Sequence, residues 1–250
     1  SIRRWRRIRH GCRDWYFHRQ ASCAGAGRRG TIDQFQIHGP RNRSVSALIS
    51  KRVGILGGSF NPAHEGHVHV SELALDSLGL DEVWWLVSPQ NPLKSTEGMA
   101  PFEDRLEQAK SVTAAEPRIV ISDFEKIYGS RRTLMTLRKL KRNHPAHRFV
   151  WLMGADNLIQ AHRWNQWAEI FKIVPIAVFA RPTYSLRALS ACAAKFFASA
   201  RVKEREADTL ADLIPPAWVY LEIPLHPASS TEIRSSGKAE GTETANGKTA

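Results

Sequence analysis

Residues 52–67 read RVGILGGSFNPAHEGH. An apolar run ends on two glycines, a small hydroxyl and an Asn-Pro turn, and two histidines come next, three positions apart. The run is strand-sized, and the residues after Pro62 have the composition of a helix start. Glycines at 54, 57 and 58 do not make GxGxxG, and no GK[ST] comes after them, so the usual dinucleotide and P-loop readings fail on spacing. Gly57 and Gly58 still allow backbone N–H groups to approach a ligand closely. The next helix aims its N-terminus at the same spot, which is an anion-binding arrangement. At about 100° per residue, His64 and His67 lie about 60° apart on one helix face, and His69 points elsewhere.

Three readings compete for the histidine pair. They are ordinary surface or core histidines; or metal ligands, although HEGH lacks the HExxH spacing and no third ligand is evident; or donors of hydrogen bonds to phosphate oxygens. Only the last accounts for glycines, helix start and histidines together.

Working outward, short β-branched or aromatic runs recur at 52–56, 82–87, 118–121, 148–153, 175–180 and 218–223. Amphipathic stretches at 66–79, 102–115, 133–143, 165–172 and 185–198 separate them. Continuous apolar runs suit strands buried on both faces. The expected fold is therefore α/β: a Rossmann-like, doubly wound parallel sheet with helices on both faces, in a single domain. Ligands of such sheets bind beyond the carboxyl ends of the strands, which singles out the loops after Leu56, Val87 and Met153.

The net charge of +12 is unevenly distributed. Residues 1–50 carry 11 Arg, no Lys and two Asp, whereas the remaining 200 residues are nearly balanced. Basic character thus belongs to an Arg-rich N-terminal extension, 1–50, expected to lack regular structure, and nucleic-acid binding is expected only through it. The first Met is Met99, so a fragment or an extended reading frame is expected. Residues 236–250 read as a polar tail, leaving 51–235 as the working domain. No apolar run approaches the ~20 residues of a membrane-spanning helix. Three cysteines without a CxxC pair suit a reducing, cytoplasmic setting rather than a disulfide framework.

GGSFNPAHEGH (57–67) resembles the GG[ST]F[DN]PxHxGH signature of the nucleotidylyltransferase superfamily, and SSTEIR (229–234) resembles its second signature, SSTxIR. Ser229, Ser230 and Thr231 suit a capped helix start that offers hydroxyls and N–H groups to a phosphate, and Arg234 adds a fixed charge with a donor fork. Two further stretches, WWLVSPQNPLK (84–94) and GADNLIQAHRWNQW (154–167), resemble bacterial nicotinate-nucleotide adenylyltransferases. The resemblance covers about 52–235 and implies transfer of AMP from ATP to nicotinate mononucleotide, giving deamido-NAD and pyrophosphate.

By the same resemblance, Gly57, Gly58, Ser59, Phe60, Ser229, Ser230 and Thr231 bind ATP. His64, His67 and Arg234 act on its phosphates. Asn91, Lys94, Thr133, Asp156 and Trp164 bind the mononucleotide, Trp164 by stacking on its ring and Asp156 by accepting from a ribose hydroxyl. Mg²⁺ is expected to accompany ATP, held mainly by phosphates and water. Trp167 is expected to anchor its helix in the core, and an Asp156 that merely caps a helix is the alternative to its ligand role. The family commonly shows a GTxYTxDTL-like stretch where this chain has GSRRTLMTL (129–137), with Arg132 for the usual Tyr and Met135 for the usual Asp. Acceptor choice is where that departure bears, and the amide mononucleotide or phosphopantetheine are the alternative acceptors. A metal-dependent hydrolase and a nucleic-acid-binding protein are the readings from other classes.

Overall fold

The computed structural model describes residues 50–89, 98–130, 132–181 and 184–224. These lie in one unit, Val45–Ala250; the other, Ser1–Ser44, falls outside the described residues, and with it the Arg-rich extension.

Seven parallel strands form one sheet in the order β3-β2-β1-β4-β5-β7-β6. They are β1 (Arg52–Gly58), β2 (Glu82–Val87), β3 (Ile119–Ser122), β4 (Arg148–Gly154), β5 (Ile176–Phe179), β6 (Arg201–Val202) and β7 (Trp218–Leu221). The chain runs outward from β1 to β3, then returns to lay β4 against the other side of β1. The strand order therefore reverses between β1 and β4, and a crevice opens there at the carboxyl ends.

Side chains alternate cleanly across the sheet. Phe149, Trp151 and Met153 enter one core with Ile176, Val178, Trp218 and Tyr220; Val150 and Leu152 enter the other with Ala177, Phe179, Val219 and Leu221. The first core is covered by α4 (Thr133–Asn143), α5 (Ala155–Gln160), α6 (Trp167–Ile173) and α8 (Cys192–Phe196). The second is covered by α1 (Glu65–Ser77), α2 (Phe102–Val112) and a 3₁₀ stretch, Glu204–Asp212. Two short helices, α3 (Phe124–Ile127) and α7 (Ser185–Leu189), are also present among the described residues. Gly54 lies on the second face: a methyl group there would stand 2.7 Å from Leu80 Cδ1 and 2.9 Å from Leu152 Cδ1, so its absence lets this face close.

The helix expected over 185–198 is in fact two. Ser190 Oγ donates to the Arg187 carbonyl at 3.0 Å, and Ala191 is extended (φ −65°, ψ 157°), which ends one helix and starts the next. Trp167 packs edge-on against Phe171, Phe196 and Phe197, the expected core anchor. Among the described residues, no helix is long and apolar enough to cross a membrane.

Candidate active site

The loop after β1 leaves the sheet at the crevice. A methyl group on Gly57 would lie 2.6 Å from the Trp151 ring, and one on Gly58 would lie 3.3 Å from the Phe60 ring. Bare backbone is therefore what the packing admits at 57. Phe60 adopts a left-handed backbone (φ 45°), unusual for a residue with a side chain. It is held by stacking on Trp85, ring centroids 4.7 Å apart and planes 9° apart. Asn61 fastens the turn from outside, donating to the Gly98 carbonyl at 3.0 Å and accepting from Ala100 N–H at 3.1 Å.

His64 is the N-cap of α1, with extended backbone, and His67 lies in its first turn. The ring centroids are 3.9 Å apart. Gly66 N–H donates to His64 Nδ1 at 3.1 Å, and His64 N–H donates to His67 Nδ1 at 3.3 Å. Accepting a proton donor at Nδ1 requires the neutral ring to carry its hydrogen on Nε2. Each imidazole is thus set to donate from Nε2. Through the Gly66 N–H, the helix terminus polarises the His64 ring.

The support behind His67 is a relay of hydrogen bonds. Its carbonyl accepts from Ser71 Oγ at 2.9 Å, and Ser71 Oγ accepts from Trp85 Nε1 at 2.8 Å. Both Ser71 and Trp85 are fully buried. His69 does point elsewhere: its Nε2 lies 2.9 Å from the Pro224 carbonyl, where the chain leaves β7.

Asp156 stands across the crevice in the first turn of α5, directly after β4. Its Oδ1 lies 3.2 Å from Arg181 Nε, at the end of β5, and is buried without a hydrogen-bond partner among the described residues. Gly154 makes this approach possible, since a methyl group there would be 2.5 Å from Asp156 Oδ1. A carboxylate oxygen close to a cation yet accepting no hydrogen bond suits a hydroxyl donor from a ligand. Trp164 comes after α5 and packs partly buried against the first core, and Thr133 opens α4 half-buried. Asn91, Lys94, Ser229, Ser230, Thr231 and Arg234 lie outside the described residues.

Among the described residues, two charged ones in the interior, Arg105 and Glu125, were not singled out from sequence. Arg105 of α2 is 1% exposed. It donates to the carbonyls of Ala100 (3.0 Å), Ser59 (2.5 Å), Ser88 (2.8 Å) and Pro89 (3.1 Å). Each hydrogen bond from a charged donor contributes about 1.5–3 kcal/mol, which together offsets the several kcal/mol that burying an ion costs. Burial holds its pKa below the usual arginine value, a pull that nearby Glu103 opposes. The one sequence signal was its place on the inward stripe Phe102, Arg105, Leu106, Ala109.

Glu125 of α3 is the second. Thr136 Oγ1 donates to it at 3.0 Å and lies 2.8 Å from Ser130 Oγ, while the Ser88 hydroxyl also bonds its carboxylate. Burial pushes the carboxyl above its ordinary value despite those bonds. Thr136 and Ser130 are therefore packing partners of a buried acid, whereas Arg132 and Met135 are exposed. Arg138, Lys141 and Arg142 form the solvated outer face of α4. Among the described residues, no group of three or more His, Cys, Asp or Glu is placed to hold a metal ion.

Comparison with known proteins decides the family. Residues 55–236 match the cytidylyltransferase-like family model. The chain belongs to that family. It is 52% identical over 184 residues to a probable nicotinate-nucleotide adenylyltransferase of Methylorubrum extorquens, covering 74% of this chain and 99% of that protein. It is 50% identical over 186 residues to one of Parvibaculum lavamentivorans, covering 74% and 92%. Within the cytidylyltransferase-like family it therefore groups with the nicotinate-nucleotide adenylyltransferases. A Plasmodium falciparum nicotinic acid mononucleotide adenylyltransferase, solved with NaAD, shares the fold at a TM-score of 0.56 and 18% identity, covering 74% of this chain and 83% of that one.

Proposed function

We propose that this chain transfers AMP from ATP to nicotinate mononucleotide, forming deamido-NAD and pyrophosphate in cytoplasmic NAD biosynthesis. The observation that carries the chemistry is the histidine pair, two rings 3.9 Å apart with both Nδ1 atoms accepting backbone N–H, beside a glycine loop at the strand-order reversal. The acceptor assignment draws on the half-identical relatives named for it.

In this reading a phosphate oxygen of the mononucleotide attacks the α-phosphorus of ATP in line. The bond from that phosphorus to the β-phosphate bridging oxygen breaks, and pyrophosphate leaves with the electron pair. The nucleophile is already ionised at neutral pH, so no general base and no covalent enzyme intermediate is needed. What remains for the protein is positioning and charge stabilisation. His67 donates to the α-phosphate, His64 to the triphosphate beside it, and Arg234 with Ser230 and Thr231 to the β/γ end. Asp156 Oδ1, buried and accepting no hydrogen bond among the described residues, supports its role toward a ribose hydroxyl. Mg²⁺ would come with ATP and lower the phosphates' negative charge, coordinated by phosphate oxygens and water.

Pyrophosphate release with ATP and either the acid or the amide mononucleotide tests this. Turnover with the acid, weak turnover with the amide, and a loss of about 100- to 1,000-fold in kcat for His67→Ala are expected. Equal rates with acid and amide would keep the chemistry and move the acceptor, with Arg132 and Met135 as the place to look. No release with either from folded protein would overturn the assignment.

A further inference from the structure

Arg105 lies outside the phosphate and acceptor groups just assigned, yet it touches both loops that carry them. One nitrogen, Nη1, donates to the Ser59 carbonyl in the loop after β1 and to the Ser88 carbonyl in the loop after β2. Nη2 continues to Pro89, and Nε reaches back to Ala100. The guanidinium also lies over the Phe102 ring of its own helix, 5.6 Å from the centroid, which fixes the plane from which the donors project. The carbonyls of Ser59, Ser88 and Pro89 come from segments 46, 17 and 16 positions away in sequence. No covalent proximity brings them together; the side chain does.

Burial makes the arrangement selective. No carboxylate is hydrogen-bonded to this guanidinium among the described residues, so backbone carbonyls alone satisfy it. An ammonium offers three donors from one point and does not match four carbonyls spread around a planar fork. Glu125 holds the same residue, taking the Ser88 hydroxyl while Arg105 takes the Ser88 carbonyl. Ser59 stands between Gly58 and Phe60, so the other end of the clamp sits inside the glycine loop itself.

We propose that Arg105 is a positioning residue that sets the ATP loop and the acceptor loop relative to each other, so that both substrates depend on this one buried side chain. The proposal rests on the reading above, in which the loop after β1 serves ATP and the loop after β2 serves the mononucleotide. Displacing either loop moves the groups that hold its substrate, so both substrates bind less tightly, and it also misaligns the attacking oxygen and the α-phosphorus, where positional errors of about 1 Å cost about 100-fold in rate.

The test is steady-state kinetics of wild type, Arg105→Lys and Arg105→Ala, with ATP and nicotinate mononucleotide varied in turn. Arg105→Lys, which cannot reach all four carbonyls, should raise the KM for both substrates by about 10-fold as well as lower kcat, and low millimolar guanidinium should partly restore Arg105→Ala. KM does not depend on the fraction of enzyme that is folded, so a purely structural role would lower apparent kcat and leave both KM values unchanged. That result overturns the proposal, as does a rise confined to one substrate. Should Arg105→Ala not fold, Arg105→Lys carries the test alone. An inactive but folded wild type would overturn the acceptor assignment and the clamp with it, whereas an active wild type with unmoved KM values in Arg105→Lys overturns the clamp only.

Discussion

A glycine can be required for space even where its backbone angles suit any residue, and Gly57 is such a case. The methyl group of an alanine would meet the outer edge of Trp151, a ring 5% exposed and locked between strand and helices. A packed indole has no low-energy way to retreat, so Gly57→Ala should cost about 1–3 kcal/mol. It should also displace the backbone that faces ATP. Thermal unfolding and kcat should both fall, and Trp151→Phe in the same chain should recover part of the lost stability by making room. Unchanged melting in Gly57→Ala would show that the loop yields without cost. The same residue scale explains what sequence disclosed of the site. Gly57, Gly58, His64 and His67 announce themselves because their types and spacing are improbable together. Trp85, Ser71 and Arg105 do not, since each looks like an ordinary strand or helix residue until the fold brings it behind the loop.

At the level of elements, long periodic segments were legible and short ones were not. α4 starts and ends where its 3.6-residue pattern does, and β2 matches its apolar run at both ends. β6 has two residues, too few to show any alternation, and α5 is hidden within a stretch whose glycine and tryptophans draw attention elsewhere. α4 also carries a local weakness. Its N-cap, Arg132, makes no side-chain capping bond, and its first turn holds no acid, so the positive end of the helix dipole faces arginine. Met135 sits at the third helical position, 43% exposed. Met135→Asp should therefore stabilise the protein by about 0.3–1 kcal/mol, more at low salt than at high. Chemical denaturation at two ionic strengths would check it; a loss of stability would mean that Met135 packs on something its exposure does not reveal.

For the whole molecule, a half-buried histidine and a buried glutamate give opposite pH dependences. Burial, with His147 stacked 5.5 Å away, holds His144 below its ordinary value of 6.5. The fold therefore favours the neutral ring more than the unfolded chain does, and the stability it contributes is lost as pH falls. Glu125 behaves in the other sense. Its folded value is raised above the ordinary 4.5, so the folded chain binds its proton more tightly than the unfolded chain does. That contribution is fully present below about pH 4.5 and is lost as pH rises through the folded value. Glutamine in its place can accept from Thr136 through its carbonyl and donate to the Ser88 oxygen through its amide, without titrating. The melting temperature of Glu125→Gln should gain on that of wild type as pH is raised from 4 to 8. Taking the difference between the two proteins at each pH cancels the His144 term, which both retain. A difference that stays constant over this range would mean that Glu125 ionises in the fold as readily as in water. A difference of the opposite sign would mean that the bonds from Thr136 and Ser88 outweigh burial.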